Sequence, residues 1–260
     1  MKYFYDSVQF QSNLAYLKNP PTSYQQPAVD LLGSLELIQA KINNGAYANQ
    51  YEFEAELQAL IYATHDGHLY LSSGILSLFS FGSQYPIASV SIDGIQLPKV
   101  YLSGKMVSPF KHFQTNAQAD HLMASQEPGS TSQASAIATI NGQNVIDFLT
   151  QFAASNSVGG VEAHTDWNGL MASPAQDIQG VSSIWYGGAT FYPGDTITFV
   201  LENGTQIGPD PWLAIYSGGS DTGPLATGGD FYNFFVLGLY PVMIPYPKCS
   251  RNERQSTFRK

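Results

Sequence analysis

Cysteine is almost absent from this sequence, since Cys249 is the one thiol in 260 residues. A single cysteine cannot form an internal disulfide, so a disulfide-stabilised scaffold is excluded. A zinc site would have to use the five histidines and the carboxylates, without the cysteine pairs of most structural zinc sites. We therefore predict neither a metal site nor a cofactor.

Positive charge is also scarce. Lys and Arg together number 11 against 20 for Asp and Glu, which leaves a formal net charge of −9. Residues 1–247 contain no arginine and carry six lysines against nineteen acidic residues, a net charge of −13. Proteins that bind a phosphate backbone need the opposite balance, so the sequence excludes nucleic acid as a partner.

Five of the basic residues lie in the last thirteen positions, residues 248–260. This atypical basic tail has two interpretations. It is either a solvated tail of the protein, or sequence that is not native coding sequence, such as a read-through at the end of a truncated gene model. Under both interpretations we expect the tail to take no part in the fold.

Long hydrophobic runs are missing as well. The most apolar stretch, residues 231–246, is broken by Asn233, Pro241 and Pro245, and it is too short and too interrupted to cross about 30 Å of hydrocarbon. Asp6 and Gln9 interrupt the N-terminal residues before the apolar run of a secretory signal can form. The sequence therefore predicts no membrane partner and contains no recognisable signal peptide.

Apolar residues, by contrast, make up 43% of the chain, which is enough to fill a core. In the first quarter they recur at helical spacing. Three helices are predicted: one that stops at Pro20, one that ends at Asn43-Asn44-Gly45, and one that follows Asn49, where Glu52 completes a capping box. Their apolar faces are Phe10, Leu14 and Leu17; Leu31, Leu35, Ile38 and Ile42; and Phe53, Leu57, Leu60 and Ile61.

After the third helix the apolar spacing changes from helical to alternating. Residues 69–92 carry no charge at all, and their alternation predicts strands that begin at Leu69. Residues 87–92 and 97–102 are predicted to form a hairpin through Asp93-Gly94. Residues 113–134 are rich in Gln, Ser, Ala and Gly, which predicts a flexible connection.

A second unit begins near Ala136. Residues 137–140 alternate as a strand, Asn141-Gly142 is typical of a turn, and the apolar stripe over residues 143–154 predicts a helix. Residues 191–201 alternate again, and residues 212–216 are predicted to pair with them. This unit is therefore expected to be mainly antiparallel sheet with a flanking helix.

The most informative chemical groups are His65-Asp66-Gly67-His68, which we call the histidine corner. Gly67 permits a turn with positive φ, and a histidine on such a turn is held by its backbone yet accessible, as a general base must be. We expect His65 to be structural or on the surface and Asp66 to serve the turn. Two alternatives stay open on the pattern alone: a histidine-rich helix end favoured by the helix dipole, and metal binding by the histidine pair.

Other motifs carry less chemistry. Asp221-Thr222-Gly223 is the tripeptide of pepsin-like proteases, but the second copy that would supply the other carboxylate is missing, so a surface turn is favoured. We find no Gly-x-Ser-x-Gly nucleophile elbow. Asn203-Gly204-Thr205 is a glycosylation acceptor if the chain is secreted and a hairpin turn otherwise.

Several runs of residues, in order over about residues 11–242, carry a family likeness. They are Asn13 to Pro21, Asp30 to Gly33, Ala46 to Phe53, the histidine corner, Ile140 to Val145, Tyr192 to Gly194, and Tyr232 to Gly238. Together they resemble the N-terminal region of secreted fungal serine peptidases of the tail-specific (C-terminal-processing) protease family, in the subgroup that carries a CPAF-like PDZ domain.

The resemblance implies an α+β fold. An N-terminal helical and β-hairpin region would cover residues 1–112, a flexible connection residues 113–134, a PDZ-like and mainly antiparallel β domain residues 135–247, and the basic tail the rest. It also implies serine-peptidase chemistry, in which a serine attacks the peptide carbonyl, His68 takes its proton as general base, and an acidic residue orients the ring.

In such peptidases the serine and the acidic residue lie in a catalytic domain after the PDZ-like unit. We therefore expect this chain to be truncated and to lack them. The resemblance further implies a peptide or protein substrate and an extracellular location.

Two functions of different classes follow. One is a serine endopeptidase represented by its non-catalytic part, and the other is a stand-alone PDZ-like module that binds peptides by adding a strand to an exposed sheet edge. His68 favours the first, and the lack of a credible nucleophile in this chain favours the second. The sequence does not decide whether the chain is an enzyme or what its oligomeric state is.

Overall fold

The structure is a computed structural model that describes residues 1–72, 74–103, 135–157, 159–173, 175, 178–179, 183–217 and 226–239. Residues Met1–Gly218 form one compact unit and residues Gly219–Lys260 a second. The predicted connection over residues 113–134 and the basic tail lie outside the described residues.

Four helices make up the N-terminal part of the first unit. They are α1 (Lys2–Val8), α2 (Leu14–Lys18), α3 (Leu31–Asn43) and α4 (Gln50–Ala63). Their apolar faces close over one core cluster, which contains Val8, Leu31, Leu35, Ile38, Leu57, Ile61 and Leu69. These helices contribute most of that cluster, which confirms the predicted faces of α3 and α4 except at Ile42, which is exposed.

The first predicted helix is wrong in part. Phe10 is 90% exposed and lies between α1 and α2 rather than on a helix. The apolar anchor of this region is Val8, which is buried. The amides of Phe10 and Gln11 bond to carbonyls three residues back, so the chain turns there instead of continuing a helical stripe.

The ends of α3 and α4 follow their sequence signals. Gly45 has φ +63 directly after α3, which is the left-handed conformation that ends a helix. Asn49 accepts a hydrogen bond from the Glu52 amide at the start of α4, at 3.0 Å. The Glu52 carboxylate reaches back to the amide of Ala48, at 2.9 Å, one residue before the position that a capping box predicts.

In the described residues, eight strands form three antiparallel sheets. The strands are β1 (Phe79–Gly82), β2 (Ile87–Val90), β3 (Lys99–Leu102), β4 (Ile137–Ile140), β5 (Gln143–Asn144), β6 (Thr196–Leu201), β7 (Gln206–Pro211) and β8 (Leu213–Tyr216). The sheets have the orders β1-β8, β2-β3 and β5-β4-β6-β7. The hairpin predicted between residues 87–92 and 97–102 is confirmed, with Ile87 opposite Leu102.

Two strand predictions are wrong. No strand begins at Leu69 in the described part of this segment; strand structure starts at Phe79, because the amides of Ile75 and Leu76 bond to the Glu54 carboxylate instead of a neighbouring strand. Residues 212–216 do not pair with β6. Both edges of β6 are already taken by β4 and β7, so β8 pairs with β1.

The order of strand, turn and helix predicted for residues 137–154 is confirmed. Asn141 and Gly142 have φ values of 49° and 79°, and the turn leads through β5 into α5 (Val145–Asn156). Asn144 caps this helix by accepting the Ile146 amide at 2.9 Å. A short helix, α6 (Ala163–Asn168), follows.

The larger core joins segments that are far apart in sequence. Tyr85, Ile87 and Val100 from the β1–β3 region are buried together with residues of β4, α5 and β6, around Trp185. The sequence grouped the hairpin with the N-terminal helices over residues 1–112, whereas in the structure the hairpin packs into this second cluster. Trp185 lies in a short helical segment, Ile184–Gly188, which is kinked at Gly187.

The predicted α+β class is confirmed, since helices build the N-terminal cluster, and α5 and the antiparallel strands share the larger core. In the second compact unit the described residues form a short helix, Gly228–Phe231, which Thr227 and Asp230 cap reciprocally. Within the described ranges, no helix has the length and apolar character needed to span a membrane.

Candidate functional site

The histidine corner begins where α4 ends. Thr64 is buried and its hydroxyl donates to the carbonyl of Ile61 at 2.7 Å, which closes the last helical turn. His65 then has φ 49. The prediction that Gly67 supplies the positive φ is wrong: the chain reverses two residues earlier, at His65, and the space around the Gly67 Cα is open.

Asp66 holds the rest of the corner. One carboxylate oxygen, Oδ1, accepts the His68 amide at 2.9 Å, and Oδ2 accepts the side-chain amide of Asn13 at 3.0 Å. The Asp66 carbonyl accepts the amide of Leu69 at 3.0 Å, and Leu69 is buried in the helical core. The predicted role of Asp66 in the turn is thereby confirmed.

His68 projects from this fixed backbone into solvent. Its side chain has a relative exposure of 101%, against 19% for Asp66. The ring Nδ1 lies 3.5 Å from Asp66 Oδ1, which is longer than a good hydrogen bond. Both ring nitrogens are therefore accessible to an incoming group while the backbone beneath them is held.

His65 faces the other way and is half-buried. Its Nδ1 is buried, and none of the described residues offers it a hydrogen bond. Burial lowers the pKa of His65, and the charge of Asp166 opposes that shift. The ring is thus held mainly as the neutral form, which fits the structural role that the sequence suggested.

The ring of His65 packs on Gly159, which together with Gly160 we call the glycine pair. A β-carbon at Gly159 would lie 2.0 Å from His65 Nδ1, so only glycine leaves room for the ring. The buried carboxylate of Asp166 fixes the pair, because its Oδ1 accepts the Gly160 amide at 2.9 Å and the Ser157 hydroxyl at 2.7 Å.

A groove of about 640 Å³ opens beside the corner. Small apolar side chains of α4 and α5 form much of its wall, among them Ala59, Ala63 and Ala154, and His65 and Phe191 complete it. The groove runs between the helical part and the larger core. Near it the two parts are joined by Tyr62, whose hydroxyl lies 2.6 Å from the Thr190 hydroxyl.

The remaining candidate motifs stand apart from the corner. The Asn203-Gly204-Thr205 segment is the tight turn between β6 and β7, with Gly204 at φ +83 and the Asn203 side chain accepting the Thr205 amide. Its glycosylation stays a prediction. The Asp221-Thr222-Gly223 tripeptide lies outside the described residues. No cluster of three metal-binding side chains occurs among the residues that the structure describes.

Sequence reasoning missed the contact between His65 and the glycine pair. The two partners are 94 residues apart, and no local pattern joins them. The signal that could have found one side of the contact is Gly159-Gly160 itself, because adjacent glycines outside a regular element often mark a close approach of two chain segments.

The lowered pKa of His65 predicts a pH dependence of stability. A histidine titrates near pH 6.5 in an unfolded chain, so between the folded and unfolded pKa values the unfolded state binds more protons. The contribution of His65 is then complete above about pH 6.5 and is lost as the pH falls toward the folded pKa. We expect the free energy of unfolding, measured in urea, to decrease from pH 7.5 to 5.5.

The control for this prediction is His65→Asn, which does not titrate and tolerates positive φ. Its loss of stability between the two pH values is expected to be smaller than that of the wild type. His164→Asn changes an exposed histidine and is expected to follow the wild type. An identical pH dependence of wild type and His65→Asn would contradict the prediction.

The larger core falls within the match to a known domain family. The model of the CPAF-like PDZ domain family matches residues 80–220, from β1 to just past β8. Two peptidase S41 family proteins of Diaporthe leptostromiformis, phomP1′ and phomP1, are 31% and 30% identical over 194 residues, which is 74% of this chain and 26% of each relative. The chain thus spans about a quarter of the length of the curated relatives it matches.

Solved structures of CPAF are also similar. Mature CPAF has 11% identity and a TM-score of 0.39, with 83% of this chain and 33% of that chain covered. Mature CPAF complexed with lactacystin has 15% identity and a TM-score of 0.37, with 83% and 34% covered.

The family match covers more than half of the residues and includes β1 through β8. The relatives, which match over 194 residues, are peptidase S41 family proteins. The chain therefore belongs to the CPAF-like PDZ domain family and is a PDZ region related to S41 peptidases.

Proposed function

We propose that this chain is the N-terminal and PDZ-like portion of a serine endopeptidase of the tail-specific protease family, with His68 as the general base. The observation that carries the proposal is the histidine corner: an exposed imidazole on a backbone that Asp66 holds through two side-chain hydrogen bonds. The similarity to peptidase S41 family proteins supports it.

The corner fits the first chemical step of a serine peptidase. A general base must reach the hydroxyl proton of the serine within about 2.6–3.2 Å, so it has to project into the space where another segment brings that serine. His68 meets this requirement because its ring is exposed and its amide is fixed. The ring would take the serine proton as the oxygen attacks the peptide carbonyl, and later give it to the leaving amine.

Asp66 has a positioning role in this scheme. Its Oδ1 already accepts the His68 amide, and its distance of 3.5 Å from the His68 ring nitrogen leaves that nitrogen open to another acceptor. The acidic residue that orients the imidazole would accordingly come from the same part of the protein as the serine. The substrate would be a peptide or protein, and the peptidase would be extracellular.

The 260-residue chain by itself is expected to show no peptidase activity. In the described residues the imidazole of His68 contacts the Asp66 carboxylate and no serine hydroxyl, and a base without its nucleophile cannot form the acyl-enzyme. Purified protein would be assayed on casein and on a fluorogenic peptide library. Turnover that a serine-directed fluorophosphonate inhibits and His68→Ala abolishes would contradict this prediction.

The alternative is a stand-alone module that binds peptides. It is favoured by the family match itself, which names a PDZ domain, and by the apolar groove between the helical part and the larger core. A module of this kind would bind peptides equally well with His68 or alanine at that position. Peptide binding by the 260-residue chain, measured by fluorescence polarisation on the wild type and His68→Ala, tests this alternative: equal binding by both supports it, and no binding by the wild type would count against it.

A further inference from the structure

His65 is held in an unfavourable local state. Its φ of 49 is a backbone conformation that glycine adopts at lower cost. Its buried Nδ1 has no hydrogen-bond partner among the described residues, which is a second local cost. A residue with two such costs must be compensated by the contacts that surround it, and outliers of this type cluster at functional sites.

The compensating contact is with Gly159. A β-carbon on Gly159 would lie 2.0 Å from Nδ1, 2.8 Å from Cγ and 3.0 Å from Cα of His65. The glycine backbone therefore touches both the ring and the main chain of His65. Gly159 itself has φ +92, so the position favours glycine for two independent reasons.

The glycine pair is anchored from three sides. Asp166 is 5% exposed and accepts the Gly160 amide and the Ser157 hydroxyl. The same Ser157 hydroxyl accepts the Gly159 amide at 3.0 Å. Gln26 donates to the Gly160 carbonyl at 3.2 Å. The surface against which His65 packs is thus a fixed one.

A displacement of His65 would be transmitted to His68. The two residues are three positions apart, and the hydrogen bonds of Asp66 to the amides of His68 and Leu69 tie the turn together. The corner is one short turn whose residues are hydrogen-bonded to one another. We therefore expect a change of φ at residue 65 to reorient the whole turn, including His68.

We propose that the contact between His65 and Gly159 positions His68, so that the glycine pair of the PDZ-like part sets the orientation of the general base. His65 is a positioning residue in this scheme and takes no part in proton transfer. The inference rests on the proposed function for the role of His68, but the geometric coupling itself is testable without any activity.

The test is Gly159→Ala in the 260-residue chain. The added methyl group must displace the His65 ring, and we expect hydrogen exchange of the His68 and Leu69 amides to rise at least about tenfold. The ring ¹⁵N signals of His68 are expected to shift in the same variant. Both are measured by NMR at one pH value, together with the urea unfolding curve.

Gly204→Ala is the matched control. Gly204 also has positive φ, but a β-carbon there meets nothing within 4 Å. The variant therefore measures the effect of backbone strain at a glycine where the added methyl group displaces no neighbour. It is expected to leave exchange and ring signals of the corner within about twofold of the wild type at similar overall stability. In a His65→Gly background, Gly159→Ala is expected to have little further effect, because the ring that it displaces is gone.

The outcomes are distinct. A corner that is unchanged in Gly159→Ala, or equally changed in Gly204→Ala, overturns the positioning role. A full effect of Gly159→Ala in the His65→Gly background also overturns it, because the coupling then bypasses the ring. If the corner responds as expected but peptidase activity does not depend on His68, the coupling stands and the proposed general base is wrong.

Discussion

Replacing His68 with alanine is expected to lower kcat by about 10³-fold or more in the active peptidase. The reason is that, in the proposed mechanism, the serine loses the group that removes its proton during attack, while the residues that bind the peptide are untouched. KM is therefore expected to change little. The exposed ring and the Asp66-held backbone make His68 replaceable without disturbing a core.

The experiment begins with the transcript. It is sequenced through and past codon 260, and the longest reading frame that contains residues 1–247 is expressed as wild type, His68→Ala and His164→Ala. His164 is the matched control because it is also an exposed histidine beside a carboxylate, 3.2 Å from Glu162. Its variant is expected to retain kcat within about twofold.

Three results would count against the peptidase. A reading frame without a catalytic domain would favour the peptide-binding module. Equal activity of wild type and His68→Ala would remove His68 from the mechanism. An equal loss of kcat in His164→Ala would show that replacing any exposed histidine of this part disturbs folding or solubility. The loss in His68→Ala would then be no evidence for a general base.

Replacing Trp185 with alanine is expected to destabilise the first unit by about 3–5 kcal/mol. Trp185 has no exposed surface, and its indole nitrogen donates to the Tyr85 carbonyl at 2.8 Å. Its ring centroid lies 5.2 Å from that of Phe152 and 5.3 Å from that of Trp212, both edge-on. The substitution removes apolar burial, leaves a cavity and leaves the carbonyl of Tyr85 without this donor.

For a unit of this size such a loss corresponds to a decrease in Tm of roughly 10 °C, measured by far-UV circular dichroism. Trp185→Phe keeps most of the buried volume and is expected to lose less, about 1–3 kcal/mol, for the missing hydrogen bond and the smaller ring. Ile95→Ala, at a position 90% exposed, is expected to stay within about 0.5 kcal/mol. A Trp185→Ala variant as stable as Ile95→Ala would contradict the assignment of Trp185 to the centre of the core.

The elements that could be predicted are those whose signals are local. The start of α4 at Asn49, the left-handed Gly45 after α3 and the Asn141-Gly142 turn each depend on residues within a few positions of one another. The β2–β3 hairpin is local as well. In each case the sequence pattern and the structure agree because capping and turn geometry involve the same few backbone groups.

The tertiary structure decided what depends on distant partners. β8 pairs with β1, more than 130 residues earlier, because β4 and β7 already occupy both edges of β6. Tyr85, just before the β2–β3 hairpin, is buried in the same core as Trp185. Apolar side chains are buried wherever apolar faces meet in space, whatever their separation in sequence.

The candidate site divides in the same way. The residue types of the histidine corner, the breakpoint after α4 and the turn role of Asp66 followed from the sequence alone. The left-handed backbone at His65 and its contact with Gly159 did not. Those features arise because a segment 94 positions away packs against the corner, and the space left at a glycine is visible only when both segments are in place.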